Sequence, residues 1–190
     1  MTPPVFPIRT IIASTAEHIQ QVFAVRAAVF MSEQDCPYEE EFDGNDYCAT
    51  HILGLVDGRP GAAIRIRYFS DFAKLERLAV LKPCRGTPVT RAIIETAVEI
   101  CRRKGYSRLY GHSQARLVGF WQKHGFKVLG RNRKLIFSDH AYVEIVRTLL
   151  RHDDAITMDS DPYLIIRPEG AWDSPGILEQ SSTRPITSPH

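Results

Sequence analysis

The chain has 190 residues, 44% of them hydrophobic and 24% charged, which is enough apolar material for one domain with a sizeable core. Its 24 Lys and Arg against 22 Asp and Glu leave a net charge of +2, which argues against a nucleic-acid binder held by bulk electrostatics. No apolar run has the length of a membrane span, and the start MTPPVFPIRTII lacks the charged-then-apolar pattern of a secretory leader, so a cytoplasmic setting is expected.

In chain order, Ile8–Ile12 reads as a short strand rich in β-branched residues. Ser14 or Thr15 can cap the helix that follows, whose stripe of Ile19, Val22, Phe23, Ala27 and Phe30 faces a core, with Arg26 lending only its stem. SEQDCPYEEEFDGND, from Ser32 to Asp46, is acidic and turn-rich, a loop with room for one helical turn. His51–Val56 and Ala62–Tyr68 form a hairpin around Asp57-Gly58, and Lys74–Leu81 is a third strand. The clearest helix runs from about Pro88 to Lys104, with Thr87 as cap, Pro88 at the first position and Gly105 at the end. Ser107–Gly111 is a strand, Leu117–His124 a short helix, and Phe126–Leu129 and Ala141–Val146 further strands. A meander with one helix crossover implies an α/β (α+β) fold with a mixed, mostly antiparallel sheet flanked by helices. Residues 1–150 form the main domain; 151–190 are an extension, partly packed through Trp172, with a strand expected at Tyr163–Arg167 and a mobile tail from Ser174.

The four cysteines, Cys36, Cys48, Cys84 and Cys101, form no C-x-x-C pair, so reduced and mostly buried thiols are expected. The histidines show no metal-ligand spacing, and no metal site is expected.

Chemistry concentrates where a strand opens through Lys82–Thr87 into the long helix, because free amides and a positive dipole end meet there and suit a diphosphate; an ordinary strand-to-helix connection reads the same way. Glu76, between Leu75 and Leu78, is costly to bury unless it serves as a general base or pairs across the sheet with Arg65, Arg67 or Arg77, and both readings stand open. His112, with Gln114, lies near a strand end as a proton shuttle or a hydrogen-bonded rim residue.

These segments together resemble the GNAT superfamily of acyl-CoA-dependent N-acyltransferases. Arg85-Gly86 resembles the opening of that family's Arg/Gln-x-x-Gly-x-Gly/Ala loop, and Phe120-Trp121-Gln122-Lys123-His124-Gly125-Phe126 resembles its Phe-Tyr-x-x-x-Gly-Phe element. Arg26-Ala27-Ala28-Val29-Phe30 with Glu33-Gln34, Asp43 and Asp46 is similar to the ElaA-type branch, and the resemblance spans about residues 8–147. It implies transfer of an acyl group, most simply acetyl, from acetyl-CoA or another acyl-CoA to a primary amine of a small molecule. It also implies that Leu78, Ala79, Val80, Arg85, Gly86, Thr87, Val89, Thr90 and Trp121 hold the CoA, with the Val80 amide polarising the thioester carbonyl. Pro88 and Thr90 stand where the family has small residues, which implies weaker or shifted CoA binding. Trp121 replaces the family's tyrosine acid, and an indole N–H does not release a proton at working pH, so the acid falls to Tyr110, Ser113 or water.

Arg26, Phe30, Asp43, Asp46, Arg67 and Glu76 are also similar to a run of residues in acyl-homoserine-lactone synthases, although Met31–Glu40 lacks the tryptophan of that pattern. This second resemblance implies that Arg26, Phe30, Asp43, Asp46 and Arg67 bind substrate, and that a longer acyl donor or an N-acyl-amino-acid product requires a deep apolar tunnel beside Phe30 and Trp121. The plain alternatives are a snorkelling Arg26, a core Phe30 and solvated turn formers at Asp43 and Asp46. The run Glu39-Glu40-Glu41 favours a cationic amine or is simply a solvated charge run. A catalytically silent acyl-CoA-binding module is the alternative from another class. The expected partner is a small-molecule amine, with no nucleic acid, no membrane and a homodimer left open.

Overall fold

The computed structural model describes residues 6–131 and 133–185. Among them eight strands form one sheet: Ile8–Ile12 (β1), Thr50–Val56 (β2), Arg59–Tyr68 (β3), Ala73–Val80 (β4), Arg108–Gln114 (β5), Lys127–Val128 (β6), Leu135–Phe137 (β7) and His140–Thr148 (β8). Their order is β1-β2-β3-β4-β5-β8-β6, with β7 also paired to β8. Only β4 and β5 are parallel, joined by the helix Val89–Arg103 (α3); all other pairings are antiparallel. The mixed, mostly antiparallel sheet expected from the meander is therefore present.

Strand alternation assigns the two faces. In β3, Ala62, Ile64 and Ile66 pack with Ile93, Ile94 and Ala97 of α3, whereas Ala63 packs with Val22, Val25 and Val29 on the opposite side. Those last three belong to the helix Ala16–Arg26 (α1) and to the π-helical segment Ala27–Ser32 that continues it. Thr15 starts α1 by accepting the His18 amide at 3.1 Å. Gly54 lets α3 approach the sheet: a Cβ there would lie 2.8 Å from Val89 Cγ2.

Two departures from regular pairing shape the centre. β4 and β5 pair only from Ala73–Leu75 to Leu109–Gly111 and then part. Opposite β3, β4 carries one extra residue between Glu76 and Ala79, and Arg77 takes φ +53 there. The bulge keeps Leu75, Leu78 and Val80 on the α3 side and puts both Glu76 and Arg77 on the other.

Several expectations need correction. Tyr163–Arg167 is not a strand: Asp161 caps the helical turn Pro162–Ile165 (α5) by accepting the Tyr163 amide at 2.9 Å, so Asp-Pro outweighs the β-branched pair that follows. Strand β7 was not expected at all. The four cysteines are free, but only Cys101 is buried, its thiol pushed up to about 12 by burial; Cys36 and Cys84 are half-buried and Cys48 is exposed. Pro88 is itself the cap of α3, one residue before the position expected for it.

Beyond β8, Trp172 joins the α3-side core and Glu169 accepts from Thr50 Oγ1, Tyr68 Oη and Lys104 Nζ at 3.0–3.1 Å. Glu179 pairs with Arg167 at 2.8 Å within the expected tail, whose residues 186–190 lie outside the described residues. No helix among the described residues is long and apolar enough to cross a membrane.

Candidate active site

Where β5 leaves β4, the main chain of β4 is uncovered. The Leu81 amide donates to Gly61 O of β3 (2.9 Å), so neighbouring Val80 turns its own amide and carbonyl into the splay, where the carbonyl accepts Arg85 Nε at 3.1 Å. The chain next passes through the turn Lys82–Cys84 and Gly86, which has φ +81. Ala92 is the first residue of α3 whose amide reaches a helical acceptor, Pro88 O at 3.0 Å. The amides of Thr90 and Arg91 have no main-chain partner among the described residues, and that of Val89 meets Thr87 Oγ1 at only 3.5 Å. Arg85 turns from this entrance, its Nη2 2.5 Å from Glu33.

On the α1 face lies a buried ion cluster. Arg65, with no exposure, donates to Asp43 at 2.7 and 2.8 Å, to Asp46 at 2.9 Å and to Glu76 Oε2 at 2.9 Å. Arg26, equally buried, donates to Asp46 and to Glu41 of the short helix Tyr38–Glu41 (α2), both at 2.5 Å. Arg77 reaches Glu41 at 3.0 Å and Asp43 at 3.2 Å, and Lys74 reaches Glu76 Oε1 at 2.6 Å. Burial raises the carboxyl pKa values of Asp43, Asp46 and Glu76, but the cations outweigh it and hold all three below the usual range. At Glu41 burial prevails and raises the pKa. Burial also depresses His51, whose Nε2 lies 2.9 Å from Asp46 O.

This cluster corrects three plain alternatives. Arg26 does not snorkel, Glu41 is not solvated, and Asp46 is not a solvated turn former. Only Asp43, which accepts the Asn45 amide at 3.1 Å, shapes the turn as well as pairing with arginine. Glu76 pairs across the sheet with Arg65, as one reading held, whereas Arg77 bonds to the acidic loop instead.

A second chain of polar groups crosses β5 and β8. Tyr110 Oη donates to Glu144 Oε1 at 2.7 Å and lies 2.8 Å from His112 Nε2. Hydrogen bonding from Tyr110 pulls the Glu144 pKa down, so an ionised Glu144 must accept and the tyrosine proton belongs to it. Tyr110 oxygen must then accept from His112 Nε2–H. That assignment fixes the imidazole tautomer and leaves Nδ1 as a lone-pair acceptor with no hydrogen-bond partner among the described residues. Burial, then the Lys74 charge, lowers the His112 pKa, so the ring is neutral at pH 7. Burial and Glu144 push Tyr110 up to about 12. Phe137 of β7 stacks on the imidazole at 5.6 Å.

A cleft of about 710 Å³ opens over these groups. Phe30, Leu78, Leu117, Phe120 and Trp121 form its apolar wall, Asp43, Arg67, Lys74 and Glu76 its charged end, and His112 lies between with Gln114. Gln114 donates to Gln34 and Tyr142 at 3.2 Å, and its carbonyl oxygen has no partner among the described residues. Of the expected site residues, Phe30, Asp43, Arg67, Glu76, Leu78, His112 and Trp121 line the cleft. Arg26 and Asp46 are sealed behind it and Tyr110 stands behind His112; Ala79 and Val89 are fully buried and offer a ligand no side chain. Gly86, Thr87 and Thr90 gather at the separate entrance before α3, from which the Arg85 side chain turns to Glu33. Lys74 and Glu144 were missed, and Glu41 was read only as part of an acidic run; Glu144 faces His112 only through the β5–β8 register, which no local pattern announces. A hollow of about 470 Å³ between β1, α3 and Trp172 contains none of these groups.

A model of the acetyltransferase (GNAT) family matches residues 18–126, from α1 through the helix Val118–Lys123 (α4) to Phe126. The chain belongs to the GNAT family. It is 33% identical over 128 residues to YjcF, an uncharacterized N-acetyltransferase of Bacillus subtilis, covering 67% of this chain and 91% of YjcF. ElaA of Escherichia coli is 32% identical over 117 residues, covering 57% of this chain and 76% of ElaA. The ElaA crystal structure superposes with a TM-score of 0.64 over 75% of this chain and 99% of its own, at 25% identity. These matches place the chain in the ElaA-type branch, as its sequence implied. A GNAT acetyltransferase of Elizabethkingia anophelis, solved with acetyl-CoA bound, shares the fold, with a TM-score of 0.57 over 76% of this chain and 99% of its own at 10% identity.

GNAT enzymes take their acyl group from acyl-CoA. The uncovered main chain at Val80 fits a donor that hydrogen-bonds along a strand edge. Exposed Gly86, with no atom within 4 Å of where a Cβ would stand, and the free amides of Thr90 and Arg91 fit a diphosphate. Pro88 subtracts one donor there.

Proposed function

We propose that this GNAT enzyme transfers a short acyl group, most simply acetyl, to a primary amine of a small molecule, with His112 as the general base. Leu78, Val80, Gly86, Thr90 and Arg91 would hold the donor, which when bound supplies an acyl group already activated as a thioester. The Val80 amide, directed into the splay, is the donor best placed to stabilise developing oxyanion charge. One observation carries the assignment of the base: His112 faces the cleft with a neutral ring whose Nε2–H is held by Tyr110 and whose Nδ1 has no hydrogen-bond partner among the described residues. Glu76, by contrast, has both oxygens occupied by Arg65 and Lys74 and a lowered pKa, so it is a weak proton acceptor. His112 Nδ1 takes the amine proton, and the positive charge this creates is stabilised through Nε2–H, Tyr110 and the Glu144 carboxylate.

A second reading has a longer acyl donor. The cleft volume and the apolar wall shared by Phe30 and Trp121 favour it, because acetyl alone needs far less room.

The test is His112→Gln, which keeps an N–H for Tyr110 but has no base. We expect kcat/KM to fall about 100- to 10,000-fold. Its acid limb, which in the native enzyme lies below the ordinary histidine value, should vanish. A variant with the native rate and profile would exclude His112 as the base.

A further inference from the structure

The basic side chains around the cleft are unequally paired. Five basic side chains, Arg26, Arg65, Arg67, Lys74 and Arg77, share four carboxylates, Glu41, Asp43, Asp46 and Glu76. Four of the cations have a carboxylate oxygen within 3.0 Å. The remaining one is Arg67: its nearest carboxylate oxygen is Glu76 Oε1 at 3.8 Å, which Lys74 already occupies at 2.6 Å. The Arg67 guanidinium makes no hydrogen bond among the described residues, leans over the Phe69 ring at 5.1 Å and lines the cleft. The other acid at the rim, Glu40, is exposed and engaged by the Ser138 hydroxyl. Glu144 lies beside Arg131 and Arg133, at 3.6 Å from each.

A lone guanidinium with its donors unused is half of a fork-shaped recognition pair, and its complement is a planar oxyanion. A single unpaired guanidinium, in a cleft that Glu40, Asp43 and Glu76 also line, matches a monoanion better than a phosphate dianion. The position is consistent with this. Arg67 pairs in register with Lys74, and Lys74 with Tyr110, so Arg67 and His112 stand on the same face of three adjacent strands, spaced about 4.8 Å apart. Both also line the one cleft, so a molecule held there can present an acid to Arg67 and an amine to His112.

We infer that the acceptor is an amino acid or a similar amine bearing a carboxylate, and that Arg67 binds that carboxylate. The inference rests on the acyltransferase reading above and narrows it. It also runs against the expectation that the run Glu39-Glu40-Glu41 attracts a cationic amine, since Glu41 is already committed to Arg26 and Arg77.

The test compares amino acids with their decarboxylated amines, phenylalanine with 2-phenylethylamine and leucine with isoamylamine, using acetyl-CoA and octanoyl-CoA as donors. The acid of each pair should have a kcat/KM about 10- to 100-fold above its amine. Arg67→Gln should remove that preference mainly through a higher KM for the acid, and Arg67→Lys should restore part of it. Equal or better use of the amines, an acid preference that survives Arg67→Gln, or better use of taurine or phosphoethanolamine than of β-alanine would each overturn the inference. Binding provides a separate readout: N-acetylphenylalanine should raise the Tm of the native protein and not of Arg67→Gln, whereas N-acetylphenylethylamine should not distinguish them. If no amine is acylated but that difference holds, the carboxylate site stands and the transferase reading falls. If there is no such difference, the site falls whatever the turnover.

Discussion

On the α3 face of the sheet the polar groups offered to a ligand are main-chain ones: the Val80 amide turned into the splay, Gly86 at φ +81 and the unpaired amides that open α3. On the α1 face they are side chains, held by an ion cluster behind the cleft and by the His112–Tyr110–Glu144 chain beside it. Main-chain donors need only a strand, a turn and a helix start, so the donor side tolerates sequence change, including Pro88. The acceptor side depends on particular residues brought together from distant segments, and that is where chemistry and specificity can be set.

The sharpest way to break this contrast is Arg65→Met. It leaves Asp43, Asp46 and Glu76 short of their shared partner, and removing one member of a buried ionic network costs about 3–5 kcal/mol. Urea unfolding should show that loss; a change below about 1 kcal/mol would mean that the cluster is not a structural unit. On the other face, Gly54→Ala drives a Cβ to 2.8 Å from Val89 Cγ2 and 3.1 Å from Ala62 Cβ. Overpacking of this kind costs about 1–3 kcal/mol, and by shifting the start of α3 it should raise the donor KM more than the acceptor KM. An unchanged urea midpoint would show that the helix start gives way freely.

The smallest effect is the dependence on pH. Asp43, Asp46 and Glu76 have lowered folded pKa values, so their stabilisation is present above the usual carboxylate values near 4 and is lost as pH falls through the lower folded ones. His51, lowered from 6.5, adds a loss that begins below that value, and Glu41, raised, acts in the opposite sense. Unfolding midpoints should therefore decline gently below about pH 6.5 and steeply below about pH 4. Arg65→Met should flatten the steep part. A midpoint that is constant from pH 7 to pH 3 would contradict the burial of the cluster.

The two faces also differed in legibility. The hairpin at Asp57-Gly58, the long helix with its apolar stripe and the loop from Arg85 to Thr90 are local patterns, and the structure contains each of them within a residue or two. The ion cluster could not be assembled in advance, because Arg26, Glu41, Asp46 and Arg65 meet through tertiary packing, and each alone resembles an ordinary surface charge. The bulge at Arg77 places a non-glycine residue at φ +53, against its local preference, and it is what sends Glu76 and Arg77 to the same face. Strand β7, three residues long, lies below the length at which alternation is readable, yet it brings Phe137 onto His112.

The central claim concerns one proton, and ¹⁵N NMR of the imidazole of His112 reads it directly. At pH 7 the spectrum should show the neutral ring with Nε2 protonated and Nδ1 bare, and Glu144→Gln or Tyr110→Phe should disturb that tautomer. A ring protonated at Nδ1, or an imidazolium at that pH, would contradict the account.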